Sequence, residues 1–285
     1  MSFFTVSNVR AGLRRKTSVN YQDIDHIISW VTGYRKYELQ FSRPLSIVSY
    51  LKILYYISKL KQQVPLAYIM QKQPFYKYDF YVNRHVLIPR PETEQMVADI
   101  IAGGILKDHT SVLDIGCGCG NIAVVLKSEY PGLAVTAVDS SAAALRVARY
   151  NAFNIIGRQH GICFRKKDFY KVKYQENSLF DTVITNPPYI GFREKRDVAP
   201  AVKKYEPYRA LFAGENGMAM ITAVLQKLWL ILQHNGLLIM EIGYKQKAAV
   251  TGLACKKFRH IEFKRDFNNF DRFFYGYGFK GCSNK

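Results

Sequence analysis

Between an apolar run at Ser111-Val112-Leu113 and a helix-like run from Asn121 to Lys127, the chain carries Asp114-Ile115-Gly116-Cys117-Gly118-Cys119-Gly120. Glycines directly after a strand let the backbone turn tightly. They also let a ligand reach backbone N–H groups at the start of the next helix. A glycine loop alone is a weak signal, so the spacing matters. The dinucleotide fingerprint needs a third glycine three residues after the second. That position here is Asn121, and the extra glycine stands at 120. The acid-x-Gly-x-Gly-x-Gly form fits sheets that bind S-adenosylmethionine better than sheets that bind NAD. A second acid, Asp139, ends the next apolar run, Ala134 to Val138. A carboxylate at that place can accept both hydroxyls of a ribose.

A third feature follows in order. The apolar run Phe180 to Thr185 ends in Asn186-Pro187-Pro188-Tyr189. This combination suits a flat NH2 group. The Asn186 side-chain oxygen can accept one N–H and the Pro187 carbonyl the other, because proline offers an acceptor without a competing donor. Two prolines fix the backbone, so both acceptors are aimed before a ligand arrives. The Tyr189 ring offers a face to a planar amide or base. Taken alone, Pro-Pro reads as a rigid turn. Following the glycine loop and Asp139 in order, it strengthens the reading of one combined ligand site.

From about residue 90 the pattern alternates strand and helix. Strands are expected at Ser111–Ile115, Ala134–Asp139, Ile162–Phe164, Asp181–Thr185, Gly236–Ile242, Glu262–Lys264 and Phe273–Tyr277. Helices are expected from Asn121 to Ser128, from an N-cap at Ser141 through Asn154, and over Met218–Leu232. Such alternation implies an α/β, largely parallel sheet covered by helices, with ligands beyond the carboxyl ends of its strands. The glycine loop, Asp139, Asp168-Phe169 and Asn186 all fall at such ends. Upstream, Ile24, Ile27, Ile28 and Val31 repeat at helical spacing, as do Ile47, Tyr50, Leu51, Leu54 and Ile57. These stripes are read as the core of a small helical domain, with Pro44 near a helix start. Alternation over Phe75–Val82, together with Val86–Ile88, reads as a β-hairpin joining the two domains.

Composition narrows the class. A length of 285 residues and an apolar fraction of 48% suit one large domain plus a small one. No apolar run reaches the roughly 18 residues that span a bilayer. The start, Met1 to Lys16, is basic and free of acids, as transit peptides are. The near-helical spacing of Val6, Val9 and Leu13 favours a first helix instead. The five cysteines, 117, 119, 163, 255 and 282, follow no disulfide framework, which points to a reducing cytoplasm. Cys117 and Cys119 have no close His or Cys partner in sequence and are read as small loop residues beside the cofactor, with no metal. The formal net charge of +19 either steers docking onto an acidic partner or RNA-bearing particle, or reflects lysine-rich usage on a solvated surface.

The chain resembles the peptide chain release factor glutamine methyltransferase family from about Asp23 to Arg272. Beyond the motifs above, the resemblance rests on Pro65-Leu66-Ala67-Tyr68-Ile69, on Val86-Leu87-Ile88-Pro89-Arg90-Pro91-Glu92-Thr93-Glu94, on Tyr205-Glu206-Pro207 with Ala210-Leu211 and Gly214-Glu215-Asn216-Gly217, and on Glu241-Ile242-Gly243-Tyr244-Lys245-Gln246. The Pro-Arg-Pro-Glu-Thr-Glu run is the most family-specific piece. Asn-Pro-Pro-Tyr alone also admits adenine amino-methyltransferases. The resemblance implies a Rossmann-like, seven-stranded class I methyltransferase sheet over 90–285, an N-terminal helical substrate-docking domain over 1–63 and a hairpin linker over 64–89. It implies a cytoplasmic monomer acting on release factors, with no membrane partner and no required nucleic acid.

On this reading Gly116, Cys117, Gly118, Cys119 and Gly120 pass beneath the cofactor's methionine and ribose, and Asp114 supports the loop or meets the cofactor's ammonium. Asp139 holds the ribose, Asp168 the adenine amino group, and Phe169 the adenine face or the core. Asn186 and Pro187 hold the acceptor nitrogen, Pro188 stiffens the loop, and Tyr189 packs on the acceptor plane. Arg90, Glu92 and Glu94 either shape the acceptor pocket or form a helix start. The other readings are a ribosomal-protein glutamine methyltransferase, an adenine amino-methyltransferase acting on nucleic acid, and a basic RNA- or ribosome-binding module with a vestigial site. One departure from the pattern stands out. Asn268-Asn269-Phe270-Asp271-Arg272 lacks the glycine expected before Asp-Arg, which leaves the shape of the last loop open.

Overall fold

The computed structural model describes residues 4–171 and 179–281. Cys282 and the first three residues of the basic start lie outside them. The chain forms two units, Met1–Lys72 with Pro200–Tyr205, and Gln73–Ala199 with Glu206–Lys285.

The first unit is helical. It contains α1 (Val6–Lys16), α2 (Tyr21–Thr32), α3 (Ile47–Lys61) and α4 (Leu66–Met70), and takes in the later helix Pro200–Tyr205. Short polar side chains start the long helices. Thr5, Asn20 and Ser46 accept backbone N–H groups of Asn8, Gln22 and Ser49. Ile24, Ile27, Ile28, Leu39, Ile53 and Ile57 make the centre of its core with Val6. On α3 the structure corrects the expected stripe. Ile53 and Ile57 are buried with Tyr50 and Leu60 packed beside them, whereas Ile47 and Leu51 are 56% and 57% exposed and Leu54 is 37% exposed. An apolar-rich helix offers two overlapping stripes, and sequence spacing alone does not choose between them.

The second unit opens with β1 (Gln73–Phe75) and β2 (Tyr78–Phe80), an antiparallel pair. Tyr76, at φ 58°, makes the turn between them. Val86–Ile88 therefore does not join the hairpin as expected. It lies outside any strand, with the Val86 N–H donating to the Asn83 carbonyl and the Ile88 N–H to Glu206. Then come α5 (Pro91–Ala102), β3 (Ser111–Ile115), α6 (Asn121–Glu129), β4 (Ala134–Asp139), α7 (Ala142–Ile155), β5 (Cys163–Lys166) and β6 (Phe180–Thr185). After α8 (the Pro200–Tyr205 helix) follow α9 (Tyr208–Leu211), α10 (Ala219–Gln226), β7 (Leu232–Glu241), α11 (Lys247–Ala254), β8 (Phe258–Arg265) and β9 (Asp271–Phe279).

The expected Met218–Leu232 helix stops short. α10 ends at Gln226, Leu228–Leu230 is a single 3-10 turn, and Leu232 already belongs to β7. Leu228, Leu230, Ile231 and Leu232 are all buried. A run that is apolar on every side carries no period to separate helix from strand. The two late strands are longer than expected because they pair with each other along most of their length.

The sheet has seven strands in the order β5-β4-β3-β6-β7-β9-β8. All neighbours are parallel except β7 with β9 and β9 with β8. Strand order therefore reverses between β3 and β6. In a doubly wound sheet, such a reversal opens a crevice at the carboxyl ends, where ligands bind. The register lines up the residues at that edge. Ile115 pairs with Val138 and Thr185, and Thr185 pairs with Met240. Asp139, Gly116, Asn186 and Glu241 are each the next residue along, so they form one row across the reversal.

Candidate active site

The left half of the row is made of backbone. Gly116, Gly118 and Gly120 have φ of 74°, 55° and 84°, a region that favours glycine. The Gly116 and Cys117 N–H groups donate to the Val138 carbonyl, which ties the loop to β4. A Cβ on Gly120 would lie 3.1 Å from the Ala148 Cβ on α7, whereas one on Gly116 or Gly118 would meet nothing within 4 Å. The open space lies beside the first two glycines. Asp139 joins three pieces of the site. Its Oδ2 accepts the Gly118 N–H at 3.0 Å and its Oδ1 the Ser141 N–H at 2.8 Å, at the start of α7. Burial pushes its carboxyl up, against the pull of those backbone N–H groups.

Asp114 is fully buried beneath this loop, and neither carboxylate oxygen has a hydrogen-bond partner among the described residues. Burial pushes its carboxyl up to about 7, with the Ala123 amide acting the other way and Asp139 adding to the rise. Such a group lacks a donor or a cation. Cys117 and Cys119 are buried free thiols. Burial raises both, Cys119 to about 12, so they are neutral loop residues. Asp168 accepts the Tyr170 N–H, and Phe169 is 5% exposed and packed in the main core. Lys227 donates to the Phe169 and Tyr170 carbonyls and pins this turn.

The right half is made of side chains from distant segments. Asn186 Nδ2 donates to Thr93 Oγ1 at 2.8 Å, and Thr93 Oγ1 donates to Glu241 Oε2 at 2.6 Å. The Tyr189 hydroxyl donates to Glu241 Oε1 at 3.0 Å. Glu241 is fully buried, and burial pushes its carboxyl up to about 7 despite these donors and nearby Arg272. Tyr189 is raised far above its ordinary range by burial and by Glu241, so its hydroxyl stays a neutral donor. The Arg272 guanidinium lies 5.8 Å from the Tyr189 ring centre and also donates to Asp266 and to the Ile242 carbonyl.

The backbone after the two prolines is clamped as well. Gln246 Nε2 donates to the Tyr189 carbonyl at 3.0 Å while its Oε1 accepts the Gly243 N–H at 2.8 Å. Gly217, at φ 74°, lies against the Tyr189 carbonyl, where a Cβ would overlap that oxygen. Pro187 is buried, while Asn186, Pro188 and Tyr189 are half-buried and open toward the edge.

The sequence missed Thr93 and Glu241 as parts of this site. Thr93 shares the buried face of α5 with Met96, Val97 and Ile100, at the i, i+3, i+4, i+7 spacing. That spacing was the available signal for Thr93. For Glu241 it was an acid closing an apolar strand, as Asp139 does. Arg90 is the residue preceding α5, without a side-chain cap bond to it, and its side chain donates to buried Glu206 at 2.7 Å, with Ile88 N–H on the other oxygen. These two bonds tie the Pro-Arg-Pro segment to the Tyr-Glu-Pro segment in this chain. Glu92 and Glu94 sit in the first turn of α5, where acids are favoured. In the last loop Asn269 takes φ 65°, a region that favours glycine. Asp266 ties that loop by accepting the N–H groups of Asn268 and Phe270.

Comparison with known proteins agrees with this geometry. Residues 98–204 match the family described as "Methyltransferase small domain". A release factor glutamine methyltransferase of Staphylococcus aureus (strain NCTC 8325 / PS 47) is 35% identical over 210 residues, 73% of this chain and 74% of that protein. A release factor glutamine methyltransferase of Bacillus anthracis is 35% identical over 224 residues, 76% of this chain and 77% of that protein. Among solved structures, the hMettl16 catalytic domain is similar in fold, with a TM-score of 0.53 at 14% identity, over 72% of this chain and 76% of that one. The sheet is that of class I methyltransferases, and the chain belongs to the release factor glutamine methyltransferase family.

Proposed function

We propose that this protein transfers a methyl group from S-adenosylmethionine to the side-chain amide nitrogen of the glutamine in the Gly-Gly-Gln motif of peptide chain release factors. The observation that carries this reading is the adjacency of the glycine loop and Asn186. They leave neighbouring parallel strands at the point where strand order reverses. The residues present fit the cofactor. Asp114 offers two unpartnered buried oxygens to an ammonium, Gly116 and Gly118 leave open space, and Asp139 retains acceptor capacity for ribose hydroxyls. When bound, the cofactor supplies an electrophilic methyl group on a sulfonium.

Residues of the acceptor half then act on the incoming amide. An amide nitrogen is a poor nucleophile because its lone pair is shared with the carbonyl. Asn186 Oδ1 and the Pro187 carbonyl accept its two N–H groups and stabilise the positive charge that develops on nitrogen. Pro188 stiffens the loop, and Tyr189 gives the acceptor plane a face held by Glu241 and Arg272. The proton leaves after transfer, so no general base and no metal is assigned. The helical first unit docks the release factor, and the charge of +19 favours an acidic partner surface. No helix among the described residues is long and apolar enough to cross a membrane, and the reading needs no membrane partner. The protein works as a cytoplasmic monomer.

The test uses labelled S-adenosylmethionine with a release factor and with a Gln→Ala version of its Gly-Gly-Gln loop. Label is expected on the first and absent from the second. Asn186→Ala is expected to lower kcat by about 10²- to 10³-fold while cofactor binding persists, the scale of losing one preorganised polar group. Label on a ribosomal protein or on adenine in nucleic acid, and none on the release factor, would overturn the acceptor assignment.

A further inference from the structure

We infer that Thr93 and Glu241 are positioning residues that fix the Asn186 amide with its oxygen toward the acceptor, and so set the site to take an NH2 group. The inference rests on the role proposed for Asn186. An asparagine amide is nearly symmetric in shape, and a half-turn exchanges its acceptor for two donors. Presented with donors, an incoming NH2 group would find no acceptor on the side chain. The backbone of the Asn-Pro-Pro-Tyr turn does not choose between the two orientations. The partner of the inward end does.

That partner is Thr93, whose hydroxyl has one hydrogen. Glu241 Oε2 takes it at 2.6 Å. Glu241 in its ionised form only accepts, and its other oxygen already receives the Tyr189 hydroxyl. Thr93 Oγ1 is left with lone pairs toward Asn186, 2.8 Å away. With Glu241 ionised, the Asn186 end facing it must therefore be the NH2. The reversed amide would set two oxygens against each other with no hydrogen between them. Thr93 is 2% exposed and Glu241 0%, so bulk water does not reach in to replace either link. One buried carboxylate thus aligns Asn186 through Thr93 and Tyr189 directly. The three links join α5, β7 and the turn after β6, across sequence separations of 93, 148 and 52 residues.

The experiment compares Thr93→Val, Thr93→Ser, Asn186→Ala and the Thr93→Val/Asn186→Ala double variant. Kinetics on a release factor are measured beside calorimetric binding of S-adenosylmethionine and thermal unfolding. Thr93→Val keeps the side chain's shape and removes the hydroxyl. It is expected to lower kcat about 10- to 100-fold, the cost of a misaligned reacting group, with cofactor affinity unchanged. Thr93→Ser restores the hydroxyl and is expected to recover most of the lost rate. In the Asn186→Ala background, Thr93→Val is expected to add no further loss, because its effect passes through Asn186. Full kcat in Thr93→Val with an inactive Asn186→Ala overturns the positioning role alone. Full turnover in Asn186→Ala overturns both the role of Asn186 and this inference. A kcat loss that Thr93→Ser does not rescue, or that adds fully to Asn186→Ala, assigns Thr93 to general packing and overturns the inference.

Discussion

The two halves of the reactive edge are built from different material. The half proposed to hold the cofactor is local, with the glycine loop, Asp139 and the Ser141 cap all falling between residues 116 and 141 and contacting one another through backbone N–H groups. The acceptor half is assembled from afar, since Asn186 and Tyr189 are held by Thr93, Gly217, Glu241, Gln246 and Arg272. A site made of backbone at a strand end depends on a short stretch of sequence. A site made of side-chain bonds depends on the whole sheet being closed first. The comparison predicts that substitutions in the second half damage turnover and folding together, whereas substitutions in the first half separate them.

Among substitutions that leave Asn186 itself in place, Gly217→Ala should have the largest combined effect on folding and turnover. The added Cβ would overlap the Tyr189 carbonyl and come within 2.9 Å of Gln246 Nε2, in a backbone region that already disfavours alanine. The left-handed conformation alone costs about 1–2 kcal/mol. We expect a drop in unfolding temperature together with a loss of turnover of about 100-fold, since the turn carrying Asn186 must shift. Thermal unfolding and single-turnover transfer measured on the same preparation check both. Normal turnover in a destabilised protein would show that the clamp serves folding only, and would break the contrast between the halves.

Much of the half proposed to hold the cofactor was legible because its determinants are contiguous. The strand ends at Ile115 and Asp139, the glycine spacing and the Ser141 cap are local facts, and the structure keeps them where the sequence puts them. The acceptor half was legible only in its Asn-Pro-Pro-Tyr core. Thr93 was visible as a position in a helix, but its bond to Glu241 depends on β7 lying beside β6, which no local pattern encodes. The same limit explains the shortened α10 and the outward-facing Ile47 and Leu51. Periodicity reports that a face is apolar, while the neighbours that cover it are set by topology. Asn269 shows the converse. A missing glycine looked like a departure, yet Asn269 takes positive φ there, which asparagine tolerates better than most side chains.

Each half also holds one buried acid, and pH separates them. Glu241 is raised from 4.5 to about 7 and Asp114 from 3.8 to about 7, both by burial. A carboxyl whose folded value lies above its unfolded value binds protons more tightly when folded. Stability should then fall as pH rises from about 4 through 7 and level off above it, by at most about 3–4 kcal/mol per group. Glu241→Gln and Asp114→Asn should each flatten that fall, as followed by urea unfolding at pH 5, 6, 7 and 8. Adding S-adenosylmethionine should reduce the fall through Asp114, which gains a cation, and leave the Glu241 share in place. An equal response of both variants to the cofactor would erase the distinction.

The mildest test compares two glycines with the same backbone demand and different surroundings. Gly118 has φ 55° and open space around a would-be Cβ, whereas Gly217 has φ 74° and is packed against the turn. Gly118→Ala should therefore cost only the conformational part, about 1–2 kcal/mol of stability. Its methyl group would stand in the space assigned to the cofactor, so affinity for S-adenosylmethionine should fall about tenfold, equivalent to about 1.4 kcal/mol. Asn186 and its partners are untouched, so transfer at saturating cofactor should be nearly restored. Calorimetric binding and a rate measured across cofactor concentrations distinguish the cases. A Gly118→Ala protein that binds the cofactor normally would mean that the open space beside the loop is not where the methyl donor lies. A kcat defect that saturation does not repair would mean that the two halves are coupled through the β3–β6 register.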